Sequence, residues 1–170
     1  VQFRPEQEEA IKRTIAQFSR SNDMLWNAKM RFGKTLTALQ VVKQKGFNHT
    51  IIFTHRPVVS DGWFDDFKKI FYDRDDYIFG SKQKNKGVEL KDLQASGKNY
   101  VYFASIQDLR GSSAVGGNFD KNDEVFHNYW DMIIIDEAHE GTQTILGENV
   151  LRATRQKDTK VLRLSGTPFN

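Results

Sequence analysis

Short apolar runs alternate along the chain with stretches in which hydrophobic residues recur at helical spacing. Each apolar run has the length of a single buried strand. The runs lie at residues 24–26, 50–54, 100–103, 132–135 and 161–164. This alternation predicts an α/β protein in which strands and helices follow one another along the chain.

Three helices are predicted from the same pattern. The first covers residues 3–18, with a proline in its first turn, and the second covers residues 34–44 and ends at Gly46. In the third, large apolar side chains repeat every three or four residues, which predicts that they pack in the core. These side chains are Trp63, Phe67, Ile70 and Phe71.

Strands that are separated by helices form right-handed βαβ units, which build a mostly parallel sheet with helices on both faces. The length of 170 residues suits one such domain. Ligands of these sheets bind beyond the carboxyl ends of the strands. We therefore expect the functional side chains to follow directly after the predicted strands.

The composition is that of an ordinary soluble globular protein, with 38% hydrophobic and 28% charged residues. The absence of cysteine excludes disulfide frameworks, thiolate zinc sites and cysteine nucleophiles, and it fits the reducing cytoplasm, where we expect the protein to act. No apolar run approaches the about 18 residues of a membrane span, so no membrane partner is expected. The net charge of +3 permits a nucleic-acid partner without requiring one.

A phosphate-binding loop is predicted between the first strand and the second helix. Gly33 lets the backbone approach a phosphate, Lys34 can reach the β- and γ-phosphates, and the hydroxyl of Thr35 can ligate Mg²⁺. The first glycine position of the usual eight-residue pattern holds Ala28 instead. The predicted ATP-binding loop consists of Ala28, Lys29, Met30, Arg31, Phe32, Gly33, Lys34 and Thr35.

Two adjacent acids, Asp136 and Glu137, follow the buried run at residues 132–135. Phosphoryl transfer requires a carboxylate that holds Mg²⁺ and a second group that deprotonates the attacking water. We assign Asp136 to holding Mg²⁺ through a bound water molecule, and Glu137 to deprotonating the attacking water. Together with Lys34, these acids predict a magnesium-dependent nucleotide hydrolase.

The stretch Asp-Glu-Ala-His at residues 136–139, taken with the loop at residues 28–35, resembles helicase superfamily 2, the DEAD/DEAH-type motors. Residues 3–7, Phe-Arg-Pro-Glu-Gln, resemble the adenine-recognition element of this family. The resemblance implies that Arg4 and Gln7 bind ATP, with the glutamine amide pairing with the adenine edge.

Three further segments resemble motifs of this family, and all of these segments occur in the family's order. Residues 54–57 resemble motif Ia and residues 105–107 resemble motif Ib. The resemblance implies contacts with a sugar-phosphate backbone, made by Arg56, Pro57, Ser105 and Gln107. As an alternative, the Arg-Pro pair forms a simple turn and the serine caps a helix.

Residues 164–168, Leu-Ser-Gly-Thr-Pro, resemble motif III, which couples the hydrolysis site to nucleic acid. The resemblance assigns this coupling role to Ser165 and Thr167. It also implies that His139 links the hydrolysis site to motif III, although a lone histidine can equally be a structural residue at the end of a strand.

The family resemblance implies a three-layer α/β/α P-loop NTPase fold of the RecA-like type, with residues 1–170 forming one ATP-binding lobe. Residues 136–143 and the opening element resemble the motor subunits of type I and type III restriction enzymes. The implied activity is ATP-driven translocation on double-stranded DNA, with methylase or specificity subunits as further partners. RNA helicases and DNA-repair helicases of the same superfamily remain alternatives, as does a P-loop ATPase switch without nucleic acid.

Motors of this superfamily require a second RecA-like lobe that supplies arginine fingers across the ATP cleft. The sequence ends two residues after the segment that resembles motif III. We therefore expect this chain to be the first lobe of a longer motor, able to bind Mg·ATP but hydrolysing it slowly on its own.

A nuclease site is not expected in this chain. Asp66 and Lys68 have an acid-x-Lys spacing, but the intervening Phe67 belongs to the apolar stripe. The helical pattern therefore predicts that the acid and the lysine lie on the outer face of their helix. The four histidines lack the spacing of a zinc site.

Overall fold

The computed structural model of the chain describes residues 1–27, 32–55, 60–82, 87–119, 122–137 and 144–165. Within these ranges, Ser60, Asp61, Glu137 and Thr144 are described by their backbone alone.

Helices and strands alternate through the described residues. The helices are α1 (Pro5–Phe18), α2 (Lys34–Lys45), α3 (Ser60–Ile70), α4 (Leu90–Ala95), α5 (Ile106–Leu109), α6 (Asp123–His127) and α7 (Thr144–Thr154), with a short 3₁₀ helix at Ser113–Val115. The strands are β1 (Asp23–Asn27), β2 (His49–Thr54), β3 (Tyr77–Ser81), β4 (Asn99–Ser105), β5 (Met132–Glu137) and β6 (Lys160–Ser165).

The described strands form one sheet in the order β1-β6-β5-β2-β4-β3, and every neighbouring pair is parallel. All the carboxyl ends therefore lie along one edge of the sheet. The α/β class and the mostly parallel sheet predicted from the sequence are confirmed.

Alternate residues of each strand point to opposite faces of the sheet, and each face has its own apolar cluster. On one face the strand residues pack with buried side chains of α1, α2 and α3; they include Ile52, Ile134 and Leu162. On the other face the strand residues pack with buried side chains of α4, α5, α6 and α7; they include Ile51, Ile133 and Val161. These two clusters make the three-layer architecture that the family resemblance implies.

The three predicted helices are present with small shifts of their ends. The first begins at Pro5, because proline fits the first helical turn, where no backbone N–H is needed. The second ends where Gly46 adopts a left-handed conformation, at φ 79°. In α3 the predicted stripe is buried, with Trp63 only 1% exposed.

The edge strand β3 is not apparent from the apolar pattern, because Gly80 interrupts a short run. A Cβ at this position would lie 2.6 Å from the carbonyl oxygen of Val88, so a close backbone approach requires glycine here.

The glycine and serine content of residues 111–117 predicts a mobile loop. In the structure, backbone hydrogen bonds link this segment to Phe119, which follows it closely in the chain. The amide of Ser113 donates to the carbonyl of Phe119 at 2.7 Å, and the amide of Phe119 donates to the carbonyl of Gly111 at 2.8 Å.

Across the described part of the chain, no helix has both the length and the hydrophobicity needed to cross a bilayer.

Candidate nucleotide-binding site

The N-terminus of α2 lies beyond the carboxyl end of the sheet, where the sequence predicts phosphate binding. Lys34 is the first residue of this helix, and its Nζ lies 3.4 Å from Oδ1 of Asp136 in β5. Both side chains are about one-fifth exposed, at 19% and 17%. Tertiary packing therefore brings together the lysine and the carboxylate that the sequence assigns to one site.

Gly33 is the N-cap of α2 and has a left-handed backbone, with φ 74°. A Cβ at this position would lie 2.7 Å from Nε2 of Gln7. The carbonyl of Gly33 accepts hydrogen bonds from the amide and the hydroxyl of Thr37, at 3.0 and 2.7 Å. These contacts hold the start of the helix. The first amide groups of an α-helix have no partner within the helix, which suits them to bind phosphate.

The two residues assigned to adenine recognition are bonded to the loop that precedes α2. The side-chain amide of Gln7 donates to the carbonyl of Phe32 at 2.6 Å, and Nη2 of Arg4 donates to the same carbonyl at 2.9 Å. Oε1 of Gln7 accepts the backbone amide of Arg4 at 2.8 Å. The first turn of α1 is thereby joined to the phosphate-loop region, a link that local sequence patterns cannot reveal.

The ring of Phe32 also packs edge-on against Trp26 of β1, with 6.0 Å between the ring centroids. The indole Nε1 of Trp26 donates to the hydroxyl of Thr14 in α1 at 2.8 Å. The end of the loop before α2 is thus held by both the first helix and the first strand.

The hydroxyl of Thr35 donates a hydrogen bond to Oδ2 of Asp66 in α3. The side chain of Asp66 is 19% exposed, and its Oδ1 lies 3.9 Å from Nζ of Lys69. The expectation that Asp66 lies on the outer face of its helix is therefore wrong. Because α3 packs against α2 as well as against the sheet, a position outside the apolar stripe still faces a neighbouring helix.

The donor set at this edge fits a magnesium nucleotide. Among the described residues there is no group of three or more histidine, aspartate or glutamate side chains that could hold a metal ion by itself. Mg²⁺ is commonly held by one or two protein oxygens together with substrate phosphates. Thr35 and Asp136 can provide such oxygens beside the amides that follow Gly33.

The residues assigned to nucleic-acid contact and coupling lie along the same edge where they are described. Ser105 is the N-cap of α5, is 1% exposed, and its Oγ accepts the amide of Gln107 at 3.1 Å. The oxygen of the Gln107 side chain accepts a hydrogen bond from Arg110. Ser165 ends β6 and is paired with Asn27 and Glu137 in the sheet. The bond from the amide of Gln107 to Ser105 shows that this serine caps a helix, as the alternative interpretation of the sequence predicts.

Several of the predicted site residues lie outside the described residues. They are Ala28, Lys29, Met30, Arg31, Arg56, Pro57, His139 and Thr167. The side chain of Glu137 is likewise outside the described part, although its backbone pairs with Ser165 of β6.

The family described as "Type III restriction enzyme, res subunit" matches residues 1–170 of this chain. A curated relative, the C-terminal part of a putative type II restriction enzyme and methyltransferase from Mycoplasma pneumoniae, is 29% identical over 138 residues. The match covers 78% of this chain but only 19% of that protein. The chain therefore spans about one-fifth of the length of this relative.

Three solved structures share the fold over nearly the whole chain. The SWI2/SNF2 ATPase core of Sulfolobus solfataricus, solved in complex with double-stranded DNA, has a TM-score of 0.72 at 16% identity and covers 99% of this chain and 32% of that one. A nuclease-deletion mutant of the Type ISP restriction-modification enzyme LlaGI, solved with a DNA substrate mimic, has a TM-score of 0.65 at 15% identity, covering 99% and 18%. The UvsW helicase of bacteriophage T4 has a TM-score of 0.64 at 14% identity, covering 98% and 53%.

Proposed function

Because the chain belongs to the family of type III restriction enzyme res subunits, we propose that it is the ATP-binding lobe of a DNA motor that hydrolyses ATP and acts on duplex DNA. Structural similarity to helicase and ATPase cores supports a helicase or translocase motor of a restriction enzyme. The main support for an ATP site is the contact between Lys34 and Asp136 beside the start of α2, where Gly33 is the N-cap. A magnesium nucleotide requires a cation, a carboxylate and outward amides at such a place.

In this proposal each residue of the site has one task. Lys34 leaves the carboxylate of Asp136 and donates to the β- and γ-phosphate oxygens of ATP. The hydroxyl of Thr35 and, through water, the carboxylate of Asp136 would hold Mg²⁺, which would neutralise charge on the phosphates. Glu137 orients the attacking water and accepts its proton.

Other residues of the chain are assigned to the adenine ring of ATP and to DNA. Arg4 and Gln7 hold the adenine end of ATP, and their bonds to the carbonyl of Phe32 tie that end to the phosphate loop. The residues proposed to meet the DNA backbone are Arg56, Pro57 and Gln107. The direct DNA contact implied for Ser105 is corrected, because this serine is buried and caps α5, so its proposed task is to hold the backbone of Gln107. The residues proposed to couple hydrolysis to DNA are His139, Ser165 and Thr167.

The proposed partners follow from the motor function. A second RecA-like lobe would complete the ATP cleft, and methylase or specificity subunits would direct the motor to its DNA. The whole assembly is placed in the cytoplasm by this proposal.

The first test is the binding of Mg·ATP by the 170-residue chain, followed by isothermal titration. Replacing Lys34 by alanine removes a charged donor to the phosphates, and such bonds contribute about 1.5–3 kcal/mol. We therefore expect Lys34→Ala to weaken Mg·ATP binding by about 10- to 100-fold.

The matched control is Lys45→Ala, which removes the same charge from the exposed last turn of the same helix. This variant is expected to bind Mg·ATP as the wild type does. Equal affinities of the two variants would contradict the proposed phosphate site.

A further inference from the structure

The hydrogen bond between Thr35 and Asp66 joins the proposed metal ligand to a carboxylate that hydrolysis does not otherwise use. Thr35 lies in the first turn of α2, and Asp66 lies in the middle of α3, 31 residues further along the chain. A threonine hydroxyl has one proton and two acceptor lone pairs. Because the proton is directed to Asp66, the lone pairs of the oxygen are left for another partner.

The position of Asp66 is fixed by its helix. On the same helix, Trp63 and Phe67 are 1% and 7% exposed and pack in the apolar cluster beneath α2 and α3. Lys69, one turn further on, lies 3.9 Å from Oδ1 of Asp66, while Oδ2 accepts the hydroxyl of Thr35. The carboxylate is therefore held at the start of α2 by the packing of α3.

We propose that Asp66 is a positioning residue for the magnesium site, which accepts the proton of Thr35 and so directs the lone pairs of its hydroxyl toward the metal ion. This inference rests on the proposed function, because Thr35 is a metal ligand only if the site binds Mg·ATP. Partners that orient a metal ligand without touching the metal typically affect metal affinity by about 10- to 100-fold.

The experiment compares Asp66→Ala with Asp65→Ala. Asp65 is adjacent in α3, is 63% exposed and pairs with Lys68 on the helix surface, so its replacement removes the same charge without touching Thr35. Two quantities are measured for each variant: the affinity for ATP in the presence of EDTA, and the Mg²⁺ concentration that half-saturates the ATP-bound protein. A fluorescent ATP analogue reports both.

We expect Asp66→Ala to raise the half-saturating Mg²⁺ concentration by about 10- to 100-fold relative to Asp65→Ala. Binding of ATP in EDTA is expected to stay within about twofold of the wild type, because the phosphate-binding lysine and amides are intact. In a Thr35→Ala background, Asp66→Ala is expected to cause no further change, since the two residues act through one oxygen.

A rise of less than about fivefold, or an equal loss of ATP affinity in EDTA, would overturn the inference and leave Asp66 as a link between two helices. If Asp66→Ala does not fold, Asp66→Leu is used instead, because leucine fills the side-chain volume but cannot accept the proton of Thr35, and the same rise in the half-saturating Mg²⁺ concentration is expected. If the wild type binds Mg·ATP and Lys34→Ala does not, an unchanged half-saturating Mg²⁺ concentration for Asp66→Ala counts against the role of Asp66 and leaves the proposed function intact. Absence of Mg²⁺-dependent binding by the wild type would overturn the proposed function as well.

Discussion

At the scale of single residues, the side-chain amide of Gln7 is hydrogen-bonded through both its nitrogen and its oxygen near the proposed adenine site. Its nitrogen donates to the carbonyl of Phe32 and its oxygen accepts the amide of Arg4. A primary amide has two donor hydrogens and two acceptor lone pairs. One donor and one lone pair therefore remain, which matches the paired donor and acceptor on the edge of an adenine ring.

Gly33 is required by its backbone and by the amide of Gln7 that lies beside it. We expect Gly33→Ala to lower the free energy of unfolding by about 1–2 kcal/mol for the left-handed backbone, and by about 1 kcal/mol more because the Gln7 amide must leave Phe32. Gly97→Ala is the matched control, since Gly97 has φ 71° but a Cβ at its position would meet nothing within 4 Å. Urea denaturation of the two variants measures the difference, and equal losses would show that the Gln7 contact is unimportant.

At the scale of secondary-structure elements, an ion pair joins the first strand of the sheet to the segment that follows the last described helix. Nη2 of Arg155, just after α7, donates to Oδ2 of Asp23 at the start of β1, at 2.8 Å. This bond holds the pKa of Asp23 below its usual range, and the charges of Arg155 and Arg163 add to the effect while burial opposes it. The carboxylate of Asp23 is thus more acidic in the folded chain than in the unfolded one.

The lowered pKa of Asp23 predicts how its contribution to stability changes with pH. Since the folded pKa is depressed, the stabilisation is present at neutral pH and is lost as pH falls from about 4 through the folded pKa. We expect Asp23→Asn to lower the free energy of unfolding at pH 7 by less than about 1 kcal/mol, because the pair is partly exposed. Urea denaturation from about pH 7 to about pH 3 should show this difference shrinking below about pH 4, whereas a constant difference would contradict the prediction.

At the scale of the whole molecule, the parallel sheet gathers the proposed functional groups along one edge. Asp136 and Glu137 end β5, Ser165 ends β6, and Ser105 ends β4. Because all the described strands run in the same direction, their carboxyl ends meet on the side where α2 begins. The acids proposed for the ATP site and the serine that caps the helix of Gln107, a residue proposed for DNA, are therefore carried by strands of one sheet, with β2 between β5 and β4.

The motor proposal predicts that turnover depends on a second lobe and on the type of nucleic acid. A polypeptide that joins this chain to a second RecA-like lobe should hydrolyse ATP about 10³-fold faster or more, since an arginine finger contributes about 10³–10⁵. Duplex DNA should stimulate this rate more than single-stranded DNA or RNA, and Glu137→Gln is the inactive control. Stimulation by RNA alone would favour an RNA helicase, and no stimulation would favour a nucleic-acid-independent ATPase.

The sequence by itself determined the class of fold and predicted the main groups of the proposed nucleotide site. Strand and helix patterns depend on residues a few positions apart, so five of the six described strands and the helices α1, α2 and α3 could be predicted. Gly33, Lys34 and Thr35 could be proposed as phosphate- and metal-binding residues because loop chemistry requires them to be adjacent. Asp136 and Glu137 could be assigned because they directly follow a buried strand.

Tertiary structure alone decided which distant side chains meet. The contacts of Thr35 with Asp66 and of Gln7 with Phe32 join residues 31 and 25 positions apart. They depend on how α1, α2 and α3 pack together on one face of the sheet, and helical periodicity records only whether a position faces the core. For this reason the sequence pattern assigned Asp66 to solvent, whereas the packing of α3 against α2 brings it to the hydroxyl of Thr35.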